Sequence, residues 1–72
     1  MKIRYDSSVD AAYISFKEGK EQVTTVRLTE DITVDFGPSE EIFGIEILSA
    51  SQHLGIKPDS PSMTLENIKA AS

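Results

Sequence analysis

The side chains of this chain that could do chemistry are four carboxylates and one imidazole: Asp6, Asp10, Asp35, Glu46 and His53. Asp6 and Asp10 bracket Ser7-Ser8-Val9, and two carboxylates four residues apart in a loop could hold a hard cation such as calcium or magnesium. The spacing is not that of an EF-hand. Aspartate also builds turns, because its side chain accepts backbone hydrogen bonds two residues on, and that reading outweighs metal binding. Asp35 and Glu46 could share general acid and base work if burial pushed their pKa values apart, which requires a cleft. His53 is the single histidine, and with no cysteine in the chain a transition-metal site lacks ligands. Near the end of a short helix its charged form suits the helix dipole, so a capping role is expected. Ser7, Ser8, Ser15 and Ser39 lie in no nucleophile elbow. Gly19, Gly37, Gly44 and Gly55 are isolated and make no phosphate loop. No catalytic, cofactor-binding or metal-ligating residue is expected, and no cofactor.

The elements that must position these groups follow from period-two alternation. Ile32, Val34 and Phe36 point one way along one strand, and Phe43, Ile45 and Ile47 do so along the next, across Gly37-Pro38-Ser39-Glu40-Glu41. Pairing Phe36 with Phe43, Val34 with Ile45 and Ile32 with Ile47 keeps all six on one side, since a slip of one residue would reverse a strand. Asp35 then lies opposite Gly44 and Glu46 opposite Thr33, on the polar side. Ile3 and Tyr5 form a second hairpin with Ala12, Ile14 and Phe16 across the Asp6–Asp10 turn, with Tyr5 beside Ala12 and Ile3 beside Ile14. Lys17-Glu18-Gly19-Lys20 reads as the next reversal. It leads to a strand whose Val26 and Leu28 return beside Val34 and Ile32 through Thr29-Glu30-Asp31.

After Leu48 the period changes. Ser49 is placed to cap a short helix over 50–54, and Gly55 to end it in a left-handed conformation. Beyond the polar segment 57–62, Leu65, Ile68 and Met63 share a helical face in a segment of nine residues, marginal unless docked. The expected fold class is α+β, mostly β: a curled five-stranded antiparallel meander with one or two short C-terminal helices packing on it. Residues 1–72 are expected to form one domain, with the sheet in 1–48 and the helices and linker in 49–72.

Seventy-two residues make a small core, and no cysteine supplies a disulfide or a thiolate metal site. A second copy packed on the sheet would relieve this, so a homodimer is expected. The net charge of −5 is uneven: residues 1–20 carry +1, residues 21–48 carry −6, and residues 49–72 are neutral. Lys2, Arg4, Lys17 and Lys20 are too interspersed with acids for a nucleic-acid stripe, so no nucleic-acid partner is expected. No apolar run approaches the roughly 20 residues of a membrane helix, so no membrane partner is expected. The start of the chain reads as a strand rather than a signal peptide, and the cytoplasm is the expected compartment.

Taken together, Ile3-Arg4-Tyr5-Asp6, Asp10-Ala11-Ala12-Tyr13-Ile14, Asp31-Ile32-Thr33-Val34-Asp35-Phe36 and Gly44-Ile45-Glu46-Ile47-Leu48-Ser49-Ala50-Ser51 resemble the domain-of-unknown-function family 2283. The resemblance covers roughly residues 1–51. It implies a small prokaryotic protein with no assigned biochemical role and no catalytic residues to carry over. Some members are encoded beside small toxin-like proteins, which implies an antitoxin or partner-binding role. The tail from Gln52 onward lies outside the resemblance.

The expected function is therefore a non-catalytic protein-interaction module, antitoxin-like, with a small basic protein as partner. The expected interface residues are Tyr13, the one aromatic that alternation leaves on the outer side, Glu40 and Glu41 in the acidic segment, and Leu65 and Ile68 in the tail. The alternative is a small cation-dependent enzyme using Asp6, Asp10, Asp35 or Glu46.

Overall fold

The computed structural model describes residues 1–19 and 22–69. Five strands, β1 (Lys2–Asp6), β2 (Ala11–Ser15), β3 (Thr24–Arg27), β4 (Ile32–Phe36) and β5 (Ile42–Leu48), precede one short helix, α1 (Ala50–Leu54). The strands form one open antiparallel sheet in the order β1-β2-β5-β4-β3. Mostly β with a small helix, the chain is of the expected α+β class.

The order corrects the simple meander. The segment β3-β4-β5 is a meander, but β2 pairs with β5 instead of β3. The reason lies in the strands and in the connection between β2 and β3. β5 is the longest strand and carries Phe43, Ile45 and Ile47, so a central place covers it from both sides, whereas every residue of β3 is exposed, as suits an edge. The eight residues 16–23 can reach about 26 Å when extended, ample for the roughly 14 Å between strands three places apart. The expected reversal at Lys17–Lys20 falls partly outside the described residues.

Within the hairpins the expected registers hold at most positions. Tyr5 faces Ala12 and Ile3 faces Ile14, Val26 faces Val34, and Ile32 and Val34 face Ile47 and Ile45. The exception is Phe43. Asp35 faces Gly44 but Phe36 faces Ile42, so Phe43 is an extra residue on β5, and the expected Phe36–Phe43 pair does not form. A bulge re-aims a side chain. The Phe43 ring accordingly lies on the polar side, with Tyr13, Asp35 and Lys17 along one recess.

The core sits at the α1 end of the apolar side, where Ala50, with 0% exposure, packs with Ala12 and Ile47, and Tyr5, Ile14 and Ile45 flank them. Gly55 ends α1 with φ 67°, as its position suggests. Ser49 does not cap the helix: it is left-handed itself, at φ 52°, and its side chain makes no cap bond. The cap comes from the first turn instead. The Ser51 amide donates to Asp10 Oδ1 at 3.0 Å and the Ala50 amide to the Asp10 carbonyl at 2.9 Å.

The second C-terminal helix is absent from the described tail. Lys57–Ser60 forms a turn closed by the Ser60 amide on the Lys57 carbonyl at 3.0 Å, and residues 61–69 are irregular. So short a segment nucleates a helix poorly; Met63 lies along a groove with Ile3 and Ile14, while Leu65 and Ile68 find no surface, being 89% and 83% exposed. Residues 70–72, at the end of this segment, lie outside the described residues.

Candidate functional site

On the polar side the alternation of β1, β2, β4 and β5 places Lys2 and Arg4, Tyr13 and Ser15, Asp35, and Glu46 together. Tyr13, expected to stand free, instead lies across the sheet. Its hydroxyl donates to Asp35 Oδ2 at 2.8 Å, while Thr25 of the edge strand donates to Asp35 Oδ1 at 2.6 Å. Gly44 permits this, because a Cβ there would overlap the Tyr13 phenol. Burial, with the Asp35 hydrogen bond second, raises the Tyr13 pKa above its usual 10.0. A phenol held neutral in this way is a hydrogen-bond donor rather than a base.

Beside this network runs an open recess of about 510 Å³ whose walls include Lys2, Arg4, Lys17, Asp35 and Phe43. Lys2 is paired with Glu18 at 3.1 Å, and that bond lowers the Glu18 pKa below 4.5. The recess brings Asp35 close to cations, yet it gathers neither Glu46 nor the two aspartates of the first turn. Asp35 and Glu46 are diagonal neighbours on the polar side, while Asp6 and Asp10 lie in the first turn, so the four carboxylates weighed for an enzyme are divided between two places.

The first turn is built by its two aspartates in different ways. Asp6 accepts from the Ser8 amide at 3.0 Å and the Ser8 hydroxyl at 2.6 Å, and the hydroxyl, with the amide second, lowers its pKa. This is the turn-forming role expected of it. Asp10 reaches much further along the chain. It takes φ 52°, accepts from the Tyr5 hydroxyl at 2.7 Å, and binds Ser51 through both the amide at 3.0 Å and the hydroxyl at 2.7 Å. The Tyr5 hydrogen bond first, then the Ser51 hydroxyl, hold the Asp10 carboxyl below its usual range, and the same contact pushes Tyr5 up to about 12. Asp10 is a clamp joining β1, the turn and α1. Among the described residues no group of three or more His, Asp or Glu side chains could hold a metal ion.

His53 lies in the last turn of α1, where a capping role was expected, and its Nε2 is 2.9 Å from Asp31 Oδ2 in the β3–β4 turn. The Asp31 carbonyl also accepts from the Leu48 amide at 2.8 Å. The imidazole thus ties α1 to a turn at the same end of the sheet.

The expected interface residues fall in three places. Glu40 is exposed and left-handed at φ 64° in the β4–β5 turn, where its amide donates to the Gly37 carbonyl at 3.0 Å. Glu41 is half-buried beside Gly37, with Oε2 enclosed and unpartnered among the described residues, so it is not a free surface charge. Leu65 and Ile68 stand in solvent far from any helical face. The sequence reading missed the part of Phe43 on the polar side and the link from Asp10 to Ser51. The first network needs β2 beside β5, a neighbour that alternation does not choose, so Gly44 gave no sign of it. The Asp10–Ser51 contact, 41 residues apart, left no local signal.

Among the described residues no helix is long and apolar enough to cross a membrane. No curated protein and no solved structure matches the chain. The family described as a protein of unknown function, DUF2283, matches residues 2–51, a span that takes in all five strands, the Asp10 clamp and the Tyr13–Asp35 network; the chain belongs to that family.

Proposed function

We propose that this chain is a non-catalytic protein-interaction module whose acidic surface receives a small basic protein, in the manner of an antitoxin. The observation that carries this reading is how its carboxylates are used. Asp6, Asp10 and Asp35 accept hydrogen bonds from the chain's own hydroxyls, while Glu30, Glu40 and Glu46 stand exposed, all within or beside β3–β5, where residues 21–48 carry −6. Complementary charge of this kind speeds encounter and selects partners. An enzyme reading would need carboxylates gathered in one cleft, and the separation of Asp10 from Asp35 and Glu46 gives it less support.

Co-purification of the tagged chain from its native host tests the proposal. A basic protein in stoichiometric amount, released by added salt and lost with Glu40→Lys and Glu46→Lys together, is the expected result. Glu41 is left alone because it is packed into its turn. A chain that emerges alone while hydrolysing a substrate, with activity dependent on Asp35 or Glu46, would overturn the reading.

A further inference from the structure

Three of the seven lysines and arginines of this chain, Lys2, Arg4 and Lys17, line the recess beside the Tyr13–Asp35 network. In a chain of net charge −5 the cations outnumber the acids there, because only Glu18 and Asp35 stand with them. Both acids are already engaged. Asp35 accepts from Tyr13 and Thr25, and Glu18 is paired with Lys2 at 3.1 Å. Among the described residues Arg4 and Lys17 make no ion pair. Ser15 lies between them in the wall and is 8% exposed, yet its hydroxyl reaches only the Lys17 carbonyl, at 3.3 Å. That is long beside the roughly 2.7–2.8 Å of an ordinary O–H···O bond, so a buried donor is left to give.

The rest of the recess is apolar and fixed. The β5 bulge takes Phe43 from the apolar side and sets its ring here with Val23, packed so closely on Gly37 that a Cβ there would overlap it. The Phe43 carbonyl accepts from the Phe16 amide at 2.8 Å and the Lys17 amide at 3.3 Å, so the same bulge seats Lys17 beside the ring. Bulges re-aim side chains in this way beside binding sites.

We propose that the recess binds a small phosphate monoester, its phosphate on Arg4, Lys17 and the Ser15 hydroxyl and its flat body against Phe43. The available groups are donors, so the ligand must supply acceptors. A phosphate monoester carries three terminal oxygens and between one and two negative charges, and arginine takes such a group with two parallel bonds. The volume of about 510 Å³ lies within the roughly 300–1,000 Å³ of small-molecule pockets. Glu18 and Asp35 interrupt the cations, so no basic stripe continues past the recess for a nucleic-acid backbone. This inference is independent of the basic partner, because Glu30 and Glu40 are not among the walls.

Calorimetric titration of the full chain with phenyl phosphate at low salt tests it, with circular dichroism as the check on folding. One molecule bound per chain is the expected result, with inorganic phosphate and phenol each about tenfold weaker or more because each keeps only part of the contacts. Arg4→Gln and Lys17→Gln, both at exposed positions, should each weaken phenyl phosphate by about tenfold. Lys57→Gln, outside the recess, should leave binding unchanged. Benzoate, with two oxygens and one charge, should bind more weakly, and equal or tighter binding would overturn the choice of phosphate. No saturable binding of phenyl phosphate, or binding that survives both Arg4→Gln and Lys17→Gln, would overturn the site itself.

Discussion

Two tyrosine–aspartate contacts organise the chain at the residue scale, one on each side of the sheet. Tyr5 donates to Asp10 on the α1 side, and that bond favours the neutral phenol and the ionised carboxylate together. Tyr5 is raised from 10.0 to about 12 on folding, so its contribution is complete below pH 10.0 and is lost as pH rises through about 12. Asp10 is lowered, so its contribution is present above the unfolded value of about 3.9 and is lost as pH falls through the folded one. Phenolate absorbance should therefore show Tyr5 ionising near 12, and Asp10→Asn should return it toward 10.0; an unchanged titration in that variant would remove Asp10 as the cause. On the other side, Gly44→Ala drives a methyl into the Tyr13 phenol, and overpacking of this kind costs about 1–3 kcal/mol. Tyr13→Phe, which removes the bond to Asp35, should cost about 1 kcal/mol in urea unfolding. With the hydroxyl gone, Gly44→Ala should cost less than it does in the native chain, and simple additivity would contradict the contact.

At the scale of elements, the strands were legible because burial on one side forces period-two alternation. Ile3, Tyr5, Ala12 and Ile14 on one hairpin, and Ile32, Val34, Ile45 and Ile47 on the other, have registers that follow from that constraint alone. Which hairpin lies beside which is a different matter. It depends on non-local pairing of β2 with β5, and the long 16–23 connection permits more than one neighbour, so alternation could not choose. The bulge at Phe43 was hidden for a related reason: an apolar residue at a position expected to be apolar gives no sign that it has been turned over. The α1 cap was hidden because Ser49 is a good cap by type while Asp10 does the work from across the fold. The β4–β5 turn yields an element-level prediction. Glu40 is left-handed at φ 64°, a conformation costing a residue with a Cβ about 1–2 kcal/mol, so Glu40→Gly should stabilise the chain by up to about 1 kcal/mol in urea unfolding. A loss of stability would show that the Glu40 side chain contributes more than its backbone costs.

The whole molecule is a sheet with unlike sides. One is polar, its Asp35 engaged by Tyr13 and Thr25 beside a cation-lined recess; the other is apolar, covered by α1 and the tail at one end, with Val34 buried and the edge residues Val26 and Leu28 exposed at the other. Among the described residues so small a chain buries few large side chains: Val34, Phe43 and Ile47 lie inside, and no large side chain is fully enclosed. The most direct measurement is nuclear magnetic relaxation of side-chain groups by a soluble paramagnetic probe, recorded on the full chain at concentrations where it works. The account predicts that the methyls of Val34 and Ile47 are shielded from the probe, while Glu46 and Arg27 on the opposite side relax freely. Equal relaxation of the two sides, or shielding of Glu46 and Arg27 with Val34 and Ile47 left wet, would contradict it.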